Sequence, residues 1–403
     1  MSTDAQSASG SVAWRRVVLW AGIPLTIGAL NEFALLVSIP AVRAEFGLEP
    51  HSVGWMVLAF LIADAAVLIA AGRLGDRIGR RRIAVTGLSL VVVGSLLCAV
   101  TPSFQLLILG RVIEGFGVGA VFSGLLAIIV DSVPAQSRGR AFGLWALIGA
   151  CSVLVSPMVG GLLAEHGSWR WIFVLNALIS VVALLTARRY VSAAPQPSAP
   201  AEAKPARLVT SANYVAGTAV TTLVYATCGL VWLAVVYFLV MVLGFGLTTA
   251  GVMFASYGVW WLLLPPFTGR FADRIGVRTP IIIGAALCVI GCATLALAAT
   301  TQSVLAIAAA LSVMGIGLAF VVPSANSATM GNVPPQIRGQ ASGINMTARI
   351  IGSIAGVSVT VAFVNSLDAG DVALSAQLVW GLAAALMVLA LLITAFGIRR
   401  VTA

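Results

Sequence analysis

Gly72-Arg73-Leu74-Gly75-Asp76-Arg77-Ile78-Gly79-Arg80-Arg81 returns 197 residues later as Gly269-Arg270-Phe271-Ala272-Asp273-Arg274-Ile275-Gly276-Val277-Arg278. Each copy lies between two long apolar runs. A second pair, Val133-Pro134-Ala135-Gln136-Ser137-Arg138-Gly139 and Val333-Pro334-Pro335-Gln336-Ile337-Arg338-Gly339, repeats at an offset of 200. Two anchors at nearly one offset mark a duplicated half. Duplicated halves made of membrane-like segments predict two similar bundles that rock against each other around a site at their interface.

The 403 residues are 60% hydrophobic and only 9% charged. So little polar surface requires the bilayer as solvent. Apolar runs lie near 17–42, 53–72, 83–101, 105–130, 141–164 and 171–187, then near 213–243, 250–268, 280–299, 302–325, 339–365 and 373–397. Each suffices to cross roughly 30 Å of hydrocarbon at about 1.5 Å per residue. The expected fold is therefore an all-α polytopic membrane protein with twelve transmembrane helices in two six-helix bundles. The expected organisation is an N-terminal bundle over 1–190, a cytoplasmic linker over 191–212 rich in Pro, Ala and Ser, and a C-terminal bundle over 213–403.

The net charge of +10 is topological. Of the 23 Lys and Arg, Arg43 and Arg170 fall near one side of the spans and Arg111 and Arg349 inside them. The other nineteen share the opposite side. The positive-inside rule then places both termini in the cytoplasm, which an even number of spans satisfies. The expected location is the cell (inner) membrane, with lipid rather than nucleic acid as the surrounding partner and a monomer as the working unit. Met1–Gly10 is polar with no basic n-region, so the first span is expected to serve as the targeting signal.

Several chemistries are excluded or disfavoured. The single lysine, Lys204, stands in the linker, which rules out a phosphate-cradling loop ending in Gly-Lys-Ser/Thr. Gly115-Phe116-Gly117-Val118-Gly119 sits mid-span, where glycines serve close helix packing. Transport, if any, must then run on a gradient rather than on ATP hydrolysis by this chain. The five cysteines fall within spans and read as small apolar fillers, so no metal and no cofactor are expected. His51 and His166 lie in outer loops, which excludes a buried histidine relay. No nucleophile–base constellation supports an enzyme.

The doubled Gly–Asp–Arg segment, the short loops and the central linker resemble the major facilitator superfamily over essentially the whole chain. The resemblance implies a latch closing the cytoplasmic side, carried by Gly72, Asp76, Arg77, Arg80, Asp131, Asp273 and Arg274; the plainer alternative is that these charges only fix topology. Arg111-Val112-Ile113-Glu114-Gly115-Phe116-Gly117 resembles the fourth-span motif of proton-coupled members, with Glu114 where Gln is common. Ser156-Pro157-Met158-Val159-Gly160-Gly161 is similar to the fifth-span motif of drug:proton antiporters, with Ser156 where Gly is usual. Trp169-Arg170-Trp171-Ile172-Phe173, Gly339-Gln340-Ala341-Ser342-Gly343 and the segment from Leu30-Asn31 to Pro40 resemble the fourteen-span drug exporter subfamily, with Asn31 where Asp is usual. Gly149, Pro157, Gly160 and Gly161 would supply a bend and small residues where helices slide, or simply close packing.

Ionisable groups inside spans carry the functional expectation, because each is costly unless paired or wet. Glu32, Asp64, Arg111 and Glu114 are the expected proton-coupling residues. Asp64 lies eight residues before Gly72, roughly 12 Å deep by helical rise. At the offset of 200, Arg111 and Glu114 become Leu311 and Met314, while Gly115 and Gly117 persist as Gly315 and Gly317. The asymmetry places proton handling in the first half. Arg111 and Glu114, spaced i,i+3, equally fit a static ion pair. Glu32 and Asp64 fit either a proton carrier or a hydrogen bond to another helix. Burial raises a carboxylate's affinity for protons and a nearby guanidinium lowers it, so rocking that switches the neighbour would load and release a proton.

Asn31, Phe33, Tyr225, Trp232, Tyr257, Trp261, Asn345 and Arg349 are the expected substrate contacts. Their aromatic members would stack on flat or cationic compounds, or else form bundle packing and interfacial belts. The expected function is proton-coupled export of amphipathic small molecules by alternating access, with protons and a small-molecule substrate as partners. The alternatives are proton-linked or facilitated uptake of a metabolite and a non-transporting membrane sensor.

Overall fold

The computed structural model describes residues 2–134, 137–190, 212–331, 333, 338–366 and 372–398. The linker lies outside them, as do parts of both Val-Pro loops. Every long element is helical: α1 (Ser2–Ala29), a π-helical turn (Leu30–Ala34), α2 (Leu35–Phe46), α3 (Pro50–Ile78), α4 (Arg80–Val100), α5 (Phe104–Ser132), α6 (Arg138–His166) and α7 (Arg170–Tyr190). The second half follows with α8 (Ala212–Tyr237), a second π turn (Phe238–Val242), α9 (Leu247–Leu263), α10 (Pro265–Ile275), α11 (Arg278–Thr301), α12 (Val304–Met330), α13 (Arg338–Ser366) and α14 (Val372–Gly397).

Ten stretches among the described residues are long and apolar enough to cross a membrane, and Ser52–Leu68 and Leu247–Leu263 are shorter apolar helices. Together they account for the twelve expected runs. Apolar side chains stay exposed on the helix flanks, Leu305 at 80% and Phe396 at 87%, which suits hydrocarbon and not water.

The helices fall into two packed units. One takes Met1–Leu35 and Ala59–Ser198; the other takes Leu36–Leu58 and Ala199–Ala403. The first unit pairs α4 with α5 and α7, and α1 with α5, α6 and α7. The second pairs α11 with α12 and α14, and α8 with α12, α13 and α14. The duplication is thus visible in the packing itself.

Glycine sets the matched crossings. A Cβ on Gly117 would lie 2.6 Å from the Gly87 carbonyl oxygen, and one on Gly317 would lie 2.6 Å from that of Gly284. Such backbone-to-backbone approach is the usual route to tight packing where no hydrophobic effect separates helices from lipid. The capping repeats too: Ser103 Oγ accepts from Leu106 N at the start of α5, and Ser303 Oγ from Ala306 N at the start of α12, both at 3.4 Å.

The Gly–Asp–Arg segment, placed by sequence between two apolar runs, is for the most part a continuation of the helix before it. Its first seven residues are helical in both copies, as the ends of α3 and α10. The chain turns only at Gly79 (φ 98°) and Gly276 (φ 80°), where a left-handed backbone favours glycine. Nothing before those positions breaks a helix except Pro265-Pro266, which ends α9 and starts α10 with proline in its first turn.

Candidate functional site

The first unit holds a buried polar cluster built around Arg111, which is 1% exposed, and Glu114, which is 0% exposed. Both project from α5. Arg111 Nη1 meets Glu114 Oε2 at 2.7 Å. Arg111 Nη1 also donates to Asn31 Oδ1, and Nη2 donates to the Asn31 carbonyl at 3.3 Å. Asn31 sits in the π turn between α1 and α2. Such a turn takes backbone carbonyls out of the regular ladder, and here a guanidinium claims one of them. Asn31 Nδ2 returns to Ile27 O at 3.1 Å.

Glu114 is held from the other side. Its Oε1 accepts from Ser95 Oγ of α4 and from Asn176 Nδ2 of α7, the latter at 3.2 Å. Asn176 Nδ2 also reaches Ser95 Oγ at 3.1 Å. The guanidinium carbon lies 4.2 Å from the Phe60 ring centroid and 6.0 Å from that of Phe173. One ion pair therefore receives hydrogen bonds or ring contacts from the first π turn, α3, α4 and α7. An unpaired charge at such a place would cost several kcal/mol.

Glu32 and Asp64 differ from this pair. Both residues are half-buried, with the Oδ1 atom of Asp64 buried. Glu32 follows Asn31 in the same π turn, and Phe33 beside it is buried. Asp64 packs against the α5 glycines: a Cβ on Gly119 would lie 2.6 Å from both its carbonyl and its Oδ1. Of the span-5 residues, Gly160 meets the same π turn and Gly149 meets α1. A Cβ at Gly160 would collide with the backbone of Ala34, and one at Gly149 would lie 3.1 Å from Leu25 Cδ1. Pro157 sits inside α6, and Gly161 is buried. Of the Trp169–Phe173 motif, Arg170 stacks on Trp169 at 4.3 Å and donates from Nη2 to Thr101 O at 2.8 Å.

In the second unit the offset positions of Ser95, Arg111 and Glu114 are Cys292, Leu311 and Met314, all fully buried. An apolar plug replaces the polar cluster at a crossing of the same form. Trp232, Phe254, Tyr257 and Trp261 form an aromatic group, with centroid distances of 5.9 Å for Trp232–Tyr257 and 6.3 Å for Tyr257–Trp261. The indole N–H groups of Trp260 and Trp261 are buried without an acceptor. Arg349 lies over the Tyr225 ring at 4.5 Å, and Asn345 donates to Asn326 Oδ1 at 3.1 Å.

Of the residues expected to form the latch, Gly72 has ordinary space, its would-be Cβ lying 3.9 Å from Ser123. A Cβ on Gly75 or on Gly124 would lie 3.8 Å from the Arg80 side chain, ordinary contact distance, while Arg77 and Arg274 are exposed. The side chains of Asp76, Asp131 and Asp273 lie outside the described residues. Sequence reasoning missed Ser95, Asn176 and Phe60. Two of these are uncharged polar residues inside otherwise apolar spans, a signal that a search limited to charges passes over.

The Major Facilitator Superfamily model matches residues 25–357. An uncharacterized MFS-type transporter of Mycobacterium tuberculosis (strain ATCC 25618 / H37Rv), Rv1250, is 32% identical over 201 residues, 48% of this chain and 34% of that protein. The match thus spans about a third of that relative's length. Multidrug resistance protein Stp of Mycobacterium tuberculosis (strain CDC 1551 / Oshkosh) is 25% identical over 393 residues, 82% of this chain and 72% of that protein. Among solved structures, a D-xylose-proton symporter superposes with a TM-score of 0.79 at 18% identity, covering 95% of this chain and 98% of its own. That likeness speaks to the fold.

Proposed function

The chain belongs to the major facilitator superfamily, and on that premise we propose that it is a proton-coupled exporter of amphipathic small molecules working by alternating access. The observation that carries the reading is the contrast among the first-unit carboxylates. Glu114 is sealed, with Arg111, Ser95 and Asn176 satisfying it. Glu32 and Asp64 are only half-buried. A coupling group must meet water on one side and then the other, so the sealed pair is assigned to the frame and the two half-buried acidic residues to the proton.

Within this reading, Asn31 links the two roles. It binds Arg111 with its side chain and its carbonyl, and it adjoins Glu32 in the π turn. Motion of that turn against Gly160 would change the field at Glu32. Gly72, Asp76, Arg77 and Arg80, with Asp131, Asp273 and Arg274, form the cytoplasmic gate. Phe33, Trp232, Tyr257 and Trp261 offer aromatic surface to the cargo. Export is favoured by the similarity to Stp, which bears the name multidrug resistance protein. The membrane is the cell's inner one, with both termini in the cytoplasm.

The test uses proteoliposomes with an interior pH dye and three matched probes: naphthalene-2-sulfonate, naphthalene-2-carboxamide and 2-naphthyltrimethylammonium. At least one probe should drive proton movement in the wild type. Glu32→Gln or Asp64→Asn should abolish it. Proton movement at the wild-type rate in both variants would remove the assignment of these carboxylates.

A further inference from the structure

Arg349 lies eleven residues from the Arg338 start of α13 and seventeen from its Ser366 end. By helical rise the nearer end is roughly 16 Å away, farther than an arginine side chain reaches to the headgroups, and the residue is half-buried. Its guanidinium rests on the Tyr225 ring at 4.5 Å from the centroid. Among the described residues no carboxylate pairs with it and no acceptor receives its N–H groups. Arg111, the other arginine within the spans, is fully neutralised and hydrogen-bonded. A membrane-embedded cation left over in this way marks a functional site and calls for a partner to be named.

Packing does not require the charge. At the offset of 200, Tyr225 and Arg349 correspond to Leu25 and Gly149, which meet in the first unit with no charged or aromatic side chain at either position. Asn345 precedes Arg349 by one turn and shares its face. It is 8% exposed, gives one N–H to Asn326, and keeps its Oδ1 without a donor. Donors from a guanidinium, a ring that holds its plane and a spare amide acceptor are therefore collected on α8 and α13.

We propose that Arg349, Tyr225 and Asn345 form an anion-recognition subsite, and that the exported cargo carries a carboxylate, sulfonate or phosphate on an apolar or aromatic body. This rests on the exporter reading and narrows its cargo. The planar guanidinium presents parallel N–H donors that match two oxygens of such a group. Tyr225 fixes the orientation of the guanidinium. Asn345 Oδ1 accepts an N–H or O–H adjacent to the anion.

The experiment is equilibrium binding to the full-length protein in phosphatidylcholine nanodiscs, without a pH gradient, by titration calorimetry with the same three naphthalene probes. The sulfonate should bind about ten- to hundredfold more tightly than the carboxamide or the trimethylammonium. Arg349→Gln should erase that preference, and Arg349→Lys should keep part of it. Should the glutamine variant fail to elute as a monodisperse species, the wild-type preference and its reduction in Arg349→Lys decide. Sulfonate binding no tighter than the carboxamide, including no binding at all, overturns the proposal, as does an unchanged preference in the variants. The two readings fail separately. Intact proton coupling without anion preference removes only this inference, and intact anion preference without proton coupling removes only the coupling.

Discussion

Arg111 and Glu114 show what a buried charge demands. Each is satisfied only because Asn31, Ser95 and Asn176 converge on the pair. Removing one partner leaves the other uncompensated, at a cost of about 3–5 kcal/mol. Glu114→Met should therefore lower the apparent melting temperature sharply. The double variant Arg111→Leu with Glu114→Met copies Leu311 and Met314 of the second unit, and it should recover most of the loss; thermal unfolding in detergent checks both. Asn176→Leu should cost about 1–3 kcal/mol by orphaning part of the Glu114 shell. The charges themselves were legible in the sequence, because an ionisable residue in an apolar span stands out. Their partners were not. Serine and asparagine recur in spans for many reasons, and nothing local says that Ser95 and Asn176 face one carboxylate.

At the level of elements, the helices were legible and their ends less so. Apolar runs located all twelve, since the bilayer forces the backbone to satisfy itself. The apolar run near 53–72 stops short of the end of α3 at Ile78, because the last helical residues are charged. A run of Arg and Asp does not stop a helix; Gly79 does. Gly79→Ala and Gly276→Ala should each destabilise by about 1–2 kcal/mol through the left-handed backbone. Gly117→Ala and Gly317→Ala should disrupt the α4–α5 and α11–α12 crossings, where the added carbon meets backbone 2.6 Å away. Gly143→Ala and Gly343→Ala meet nothing within 4 Å, and they should leave the melting temperature unchanged or slightly higher. The π turn at Leu30–Ala34 has no sequence signature comparable to a glycine or proline. Its evidence is the carbonyl it yields to Arg111.

For the whole molecule, duplication preserved a frame and released its contents. Each unit repeats one pattern of helix pairs, one set of glycine crossings and one pair of serine caps. Inside that frame the first unit keeps a sealed ion pair and two half-buried acidic residues, Glu32 and Asp64. The second keeps an aromatic group and an arginine, Arg349, that no carboxylate pairs with among the described residues. The central claim is that Glu32 and Asp64 couple protons while the sealed pair only supports them. The measurement is transport of whichever naphthalene probe the wild type moves, followed in one proteoliposome preparation both as accumulation driven by a pH gradient and as counterflow without one. The variant carrying both Glu32→Gln and Asp64→Asn should lose driven accumulation and keep counterflow. Accumulation against the gradient at the wild-type rate in that variant would contradict the account.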